Sequence, residues 1–289
     1  MSTDVFVALR QRLPALSKAE RRIADRVLEQ PSIVVDSTIN QLAELCEVSQ
    51  ASVARLCQSA GFSGYKSFRM AIASAITREE ASRDQFRVSD ADIGPDDSAL
   101  DVVMKVAYQE ARAVEETARA LDLVALDAVV EAIRDAARID IFGVGSSGLT
   151  AQDLQQKLHR IGMSSYSWVD PHLALTSVAL TRPGNVAIAI SHSGLSVEVN
   201  DMLTVAGRAG ATTVAITNFP ESPLGLLADL VLTTSSRESR YRSGAMSSRI
   251  AQLALVDFLT VRLLQGSYEQ ANESLRLTYD AVQNHRLRY

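Results

Sequence analysis

Over the first eighty positions apolar residues recur every three or four places, the spacing of one buried helix face. Ser17-Lys18-Ala19-Glu20 reads as a capping box, with Ser17 accepting from the Glu20 amide while Glu20 reaches back. The helix it opens carries Ile23, Val27 and Leu28 on one side and stops at Pro31. A short helix is predicted over 38–46, then a tight connection at Glu47-Val48-Ser49. A further helix follows over 49–60, with Gly61 as its C-terminal cap. Helical spacing resumes over 64–77 through Phe68, Ile72 and Ile76.

From 79 to 98 the pattern fails. The stretch is polar and acidic and contains Gly94-Pro95, which predicts an irregular linker. Beyond it, helical patterns over 99–120 and 122–137 lead into short β-type runs at 139–144, 165–169, 186–190, 212–217 and 229–234. Helical segments near 148–161, 171–181 and 195–209 separate them, and two long helices, near 243–265 and 267–284, finish the chain. Strands joined by helix-length crossovers predict a parallel five-stranded sheet flanked by helices. The expected organisation is an all-α helix-turn-helix domain over 1–78, a linker over 79–98, and an α/β domain over 99–289.

Composition narrows the class. The 289 residues are 47% hydrophobic and 22% charged, enough for two packed domains and incompatible with wholesale disorder. Cys46 and Cys57 lie eleven apart with no CxxC and no nearby histidine pair, which argues against a disulfide framework and a cysteine zinc site. Asp4 precedes any long apolar run, and no stretch of eighteen apolar residues occurs, so a cytoplasmic protein with no membrane partner is expected. The net charge of −5, taken alone, argues against nucleic acid. Its distribution argues the other way. Residues 1–80 hold ten Lys/Arg against nine Asp/Glu, and between Val48 and Arg78 the charged residues are Arg55, Lys66, Arg69 and Arg78. A local basic surface on an acidic chain is the footprint of a small DNA-reading module.

The segment QLAELCEVSQASVARLCQSAG fits a helix-turn-helix, in which a second helix enters the major groove. Leu42 and Cys46 face Val53, Leu56, Cys57 and Ala60, and Ala43 is small where two backbones approach. Ser49 is a natural N-cap, which leaves Gln50, Ala51, Ala54, Arg55 and Gln58 on the outer side. Gln50, Arg55 and Gln58 suit base edges; Ser49, Ser52 and Lys66 suit phosphates. Glu47 stands at the turn, where a left-handed residue such as Gly is comfortable.

Two loops carry the chemistry of the α/β part. After the first strand comes Gly143-Val144-Gly145-Ser146-Ser147-Gly148, formally GxGxxG, with Asp170 lying 22 residues beyond Gly148. By itself this matches a dinucleotide loop with an acid for the ribose, and an NAD(H)-sensing repressor is one reading. After the third strand comes Ser191-His192-Ser193-Gly194-Leu195-Ser196, again opening a helix. Hydroxyls at 191, 193 and 196, joined by Ser146 and Ser147, would frame one phosphate ester at two helix N-termini. A dinucleotide has no need of the second loop.

GVGSSG together with SHSGLS resembles the SIS (sugar isomerase) domain, a flavodoxin-like α/β sandwich that binds phosphosugars. VSQASVARLCQSAGFSGYKSF resembles the N-terminal helix-turn-helix of RpiR-type transcriptional regulators, whose C-terminal half is a SIS domain. The likeness covers about 1–78 and 99–265. It implies that Ser146, Ser147, Ser191, Ser193 and Ser196 hold a sugar phosphate; His192, by its position within the same loop, reads as a hydrogen-bond donor to the ligand. It also implies that Glu238, in RESRYRSGAMSSRIAQL, lies near the sugar. Catalytic SIS enzymes take a Glu from a late helix; here SSRIAQLALVDFLTVRL offers Asp257 alone, which favours binding without turnover, and no cofactor. A phosphosugar isomerase with an accessory helical domain is the remaining alternative. The expected function is a repressor of sugar catabolism genes, a homodimer or homotetramer on double-stranded operator DNA, controlled by a phosphosugar.

Overall fold

The computed structural model describes residues 4–89, 92–237, 245–266 and 268–283. The chain divides into two compact units, Met1–Ala120 with Ser235–Ser247 and Leu121–Thr234 with Ser248–Tyr289.

The first unit is helical. Its elements are α1 (Val5–Arg12), α2 (Lys18–Glu29), α3 (Ser32–Val35), α4 (Ile39–Leu45), α5 (Gln50–Ser59), α6 (Tyr65–Phe86) and α7 (Ala99–Ala120). Capping fixes where several of them begin. Ser17 and Glu20 form the expected capping box on α2, and Thr38 with Gln41 forms a second on α4. One core joins α1 to α6 through Phe6, Leu9, Ile23, Val27, Leu42, Val53, Leu56, Phe68 and Ile72.

The expected irregular linker over 79–98 is shorter than its sequence suggests. Helix α6 continues through the polar segment to Phe86 and ends on Arg87, which is left-handed at φ 56°. Charge and packing replace the missing apolar stripe: Arg83 pairs with Glu79 at 2.6 Å, and Phe86 meets Tyr108 of α7 edge-on at 5.8 Å. Helix α7 packs with this unit as well. Glu116 of α7 accepts from Arg10 at 2.5 Å and also pairs with Arg112. Burial pulls the Arg10 guanidinium down to about 10, with Glu116 opposing it.

The second unit is α/β. Its elements are α8 (Leu123–Arg134), β1 (Arg138–Gly143), α9 (Ser146–Arg160), β2 (Ser165–Trp168), α10 (Pro171–Val178), β3 (Asn185–Ile190), α11 (Val197–Arg208), β4 (Thr212–Thr217), α12 (Pro223–Leu227), β5 (Leu230–Thr233), α13 (Ser247–Gly266) and α14 (Tyr268–Gln283). The five strands are parallel in the order β2-β1-β3-β4-β5. Alternation along them sorts residues by size. Val186, Ile188 and Ile190 of β3 join Ile139, Ile141, Val214 and Ile216 under α8, α9 and α13. Ala187, Ala189 and Ala215 face the other way, against α10 and α11, where small side chains let helix and sheet approach. One acid interrupts this core. Asp140 of β1 is fully buried and accepts from Arg138 Nε at 2.8 Å, Trp168 Nε1 at 2.8 Å and Ser177 Oγ at 2.9 Å, tying β1 to β2 and α10.

Candidate functional site

In the helical unit, α4 and α5 are joined by Cys46-Glu47-Val48-Ser49. The Val48 amide donates to Ala43 O at 2.9 Å and the Glu47 amide to Glu44 O at 3.0 Å. These are the two bonds of a Schellman motif, which demands a left-handed residue between them. Glu47 fills that place at φ 51°, and Arg22 Nη1 braces it at 3.4 Å from its carbonyl and 3.3 Å from its carboxylate. The end of α5 repeats the motif with Gly61 at φ 87°. The turn expected of a helix-turn-helix is therefore present, built on a glutamate.

Gln50, Ala51, Arg55 and Gln58 are exposed on α5, and Ser49 is exposed as its N-cap, with Ser52 N donating to Ser49 Oγ at 3.2 Å. Val53, Leu56 and Cys57 are buried beneath. Ser52 departs from expectation. It is only 4% exposed, and its Oγ lies 3.0 Å from Ser49 Oγ and 3.0 Å from Arg55 Nη2. Its place on the inner side of the first turn removes it from the phosphate contacts. Lys66 and Arg69 are exposed on the first turns of α6. The start of that helix is pinned by Tyr65 Oη, which donates to Val34 O at 3.1 Å and Ser37 O at 2.9 Å.

In the α/β unit, β1 and β3 are neighbours in register, with Gly143 opposite Ile190. From β1 the chain crosses to one side of the sheet and from β3 to the other, so this is the topological switch point where ligands of open α/β sheets bind. The loops 143–148 and 191–196 leave adjacent strands there. The glycines of the first loop serve close packing: a Cβ at Gly143 would stand 2.7 Å from Ser147 O, and one at Gly148 would stand 2.8 Å from Gly143 O. Gly145 is left-handed at φ 61° and precedes the first turn of α9, which carries Ser146 and Ser147.

The second loop is held from behind. His192 O accepts from Asn218 N at 3.1 Å and Thr217 Oγ1 at 3.2 Å, and the His192 ring meets Phe219 edge-on at 5.8 Å. Gly194 takes φ 66°, and a Cβ there would collide with Ser222 Oγ. Ser191, 3% exposed, accepts from Gly194 N at 3.2 Å and lies 3.3 Å from Ser196 Oγ. It therefore shapes the loop from inside, while Ser193 and Ser196 are half-buried. Asn200 clamps the same loop from α11, donating to Gly194 O at 3.2 Å and Ser196 O at 2.8 Å.

Asp122, Asp170 and Ser222 cap α8, α10 and α12, whereas the N-cap residues of α9 and α11, Gly145 and Ser196, make no side-chain capping bond. Those two helix starts carry the serine loops, and their first-turn amides suit an anion. Asp170, the acid of the dinucleotide reading, instead accepts from Leu173 N at 2.9 Å as the cap of α10. A residue missed in the sequence enters here. Gln252 of α13, 1% exposed, donates from Nε2 to Ser147 Oγ at 3.1 Å and lies 3.2 Å from Thr150 Oγ1 through Oε1. Glu238 and its neighbours Arg240 and Arg242 lie outside the described residues. Asp257 of α13 points outward, exposed and paired with Lys157.

The chain matches the family model of the SIS domain over residues 132–262 and that of the helix-turn-helix domain of the rpiR family over residues 3–79. An HTH-type transcriptional regulator of Caldanaerobacter subterraneus subsp. tengcongensis is 34% identical, covering 97% of each chain. The regulator YbbH of Bacillus subtilis is 30% identical over the full length of both. Among solved structures, the Vibrio vulnificus NanR protein complexed with ManNAc-6P is 30% identical with a TM-score of 0.62, covering 98% of this chain and 100% of that one. This chain therefore belongs to the rpiR family of helix-turn-helix transcriptional regulators, with a SIS domain as its α/β unit.

Proposed function

We propose that the protein is a repressor whose affinity for operator DNA is set by a phosphorylated sugar bound between the loops 143–148 and 191–196. One observation carries this reading: two serine-bearing loops leave adjacent strand ends at the switch point, each opening a helix whose own N-cap residue, Gly145 or Ser196, makes no side-chain capping bond. Ser146, Ser147, Ser193 and Ser196 offer the phosphate hydroxyls, Ser191 holds the loop, and His192 donates nearby. A ligand of this class is named for the NanR relative, which makes a hexosamine phosphate the first effector to test. Glu238 is assigned to the sugar end by family resemblance. The DNA-reading face is Gln50, Arg55 and Gln58 for base edges, with Ser49 and Lys66 for phosphates.

Binding without turnover fits α13, whose one acid, Asp257, is spent on a surface pair with Lys157. The active form is a cytoplasmic homodimer or homotetramer, which puts two readers on a two-fold operator. A thermal-shift panel of sugar phosphates, with NAD⁺ and NADH included, tests the effector. A ligand at a hundred times its Kd stabilises the native state by about 2.7 kcal/mol, an easily read shift. A shift from one phosphosugar is expected, and a shift from NADH alone would return the reading to a dinucleotide sensor.

A further inference from the structure

Arg55 is the one cation on the exposed side of α5, and an arginine side chain carries rotamer entropy that recognition must quench. Here part of that ordering is already done. Arg55 Nη2 donates to Ser52 Oγ at 3.0 Å, Ser52 Oγ lies 3.0 Å from Ser49 Oγ, and Ser49 Oγ accepts from Ser52 N at 3.2 Å. A line of hydrogen bonds thus runs from the helix cap to the guanidinium. Its direction at the last step is fixed, because arginine has donors and no acceptor. Ser52 is 4% exposed, so water competes weakly for its oxygen.

We propose that Ser52 is a positioning residue for sequence reading: it holds the Arg55 guanidinium in one orientation, leaving its remaining N–H groups free to fork onto a purine with two major-groove acceptors, the pattern of guanine. The inference rests on the DNA-reading assignment of Arg55 made above. It explains why a hydroxyl too buried to meet a phosphate stands one turn behind the reading side chain. Pre-ordering raises affinity by removing the cost of immobilising the side chain on binding.

The test uses the intact chain and an operator selected from random duplexes. Affinities for that operator, for versions altered at each base pair, and for unrelated duplex are measured for the native protein, Ser52→Ala, Ser52→Thr, Arg55→Ala and the Ser52→Ala/Arg55→Ala pair. Ser52→Ala is expected to weaken operator binding roughly 3- to 10-fold, the scale of one immobilised long side chain. Its penalty should concentrate at the base pair lost in Arg55→Ala, leave unrelated duplex unaffected, and vanish in the Arg55→Ala background. Ser52→Thr, which keeps the acceptor, should restore binding. Should Ser52→Ala fail to fold, Ser52→Cys keeps the volume with a weak acceptor and is expected to show the same selective loss. Additive penalties, or equal losses on operator and unrelated duplex, would overturn the positioning role. Undiminished operator binding by Arg55→Ala would instead remove Arg55 from the reading face itself.

Discussion

Gln252 Nε2 donates to Ser147 Oγ at 3.1 Å across 105 positions of sequence, so a helix late in the domain fixes a hydroxyl on the first turn of α9. The amide is almost wholly buried and its oxygen is occupied by Thr150. Replacing Gln252 with Met keeps the bulk and strands two hydroxyls. Effector affinity should fall about tenfold, in line with the roughly 1–3 kcal/mol cost of an unmet buried polar group. Operator binding without effector should be unchanged. Calorimetric titration with the effector checks this; native affinity would show that Ser147 needs no such support.

Asp140 is a buried acid with an arginine, an indole and a hydroxyl around it. Asp140→Ala leaves the Trp168 indole and the Ser177 hydroxyl without their acceptor beside a partly exposed Arg138 and should cost about 1–3 kcal/mol of stability. Urea unfolding of the variant measures it, and a loss under about 1 kcal/mol would mean that the site relaxes around water.

Glu47 holds a left-handed backbone at φ 51°, a conformation that costs an L-residue about 1–2 kcal/mol. Glu47→Gly removes the penalty but adds unfolded-state entropy and gives up the exposed Arg22 pair. A net gain of about 0.5 kcal/mol is expected, read as a higher Tm. A lower Tm would mean that Arg22 contributes more than the strain takes away.

Cys57 lies in the helical core, and burial pushes its thiol up to about 11, with a backbone hydrogen bond opposing. Unfolding returns it to an ordinary value near 9.0, so between those values the unfolded chain loses the proton first. The thiol's contribution to stability is complete below the unfolded value and declines as pH rises towards the folded one. Alkylation at pH 8 should be slow in the native protein and rapid in denaturant; rapid native labelling of Cys57 would contradict its burial.

Much of this was legible in the sequence because it is local. The Ser17–Glu20 cap, the Gly61 stop, the five strands and both serine loops depend on residues a few places apart. What was not legible depends on distant partners. The extension of α6 to Phe86 rests on Tyr108 of α7, and Ser52 reads as a phosphate ligand until its inward position is known. Asp140 and Gln252 are polar residues inside apolar runs, whose purpose depends on partners tens of positions away or more.

The most direct test of the account is operator affinity, by fluorescence anisotropy, with and without the phosphosugar found in the thermal screen. Native protein should show a change of some 5- to 150-fold on effector addition, the ordinary range for coupling between sites. The Ser191→Ala/Ser193→Ala variant should bind the operator with native affinity and show no effector response. An unchanged response in that variant would contradict a phosphate site at the 191–196 loop.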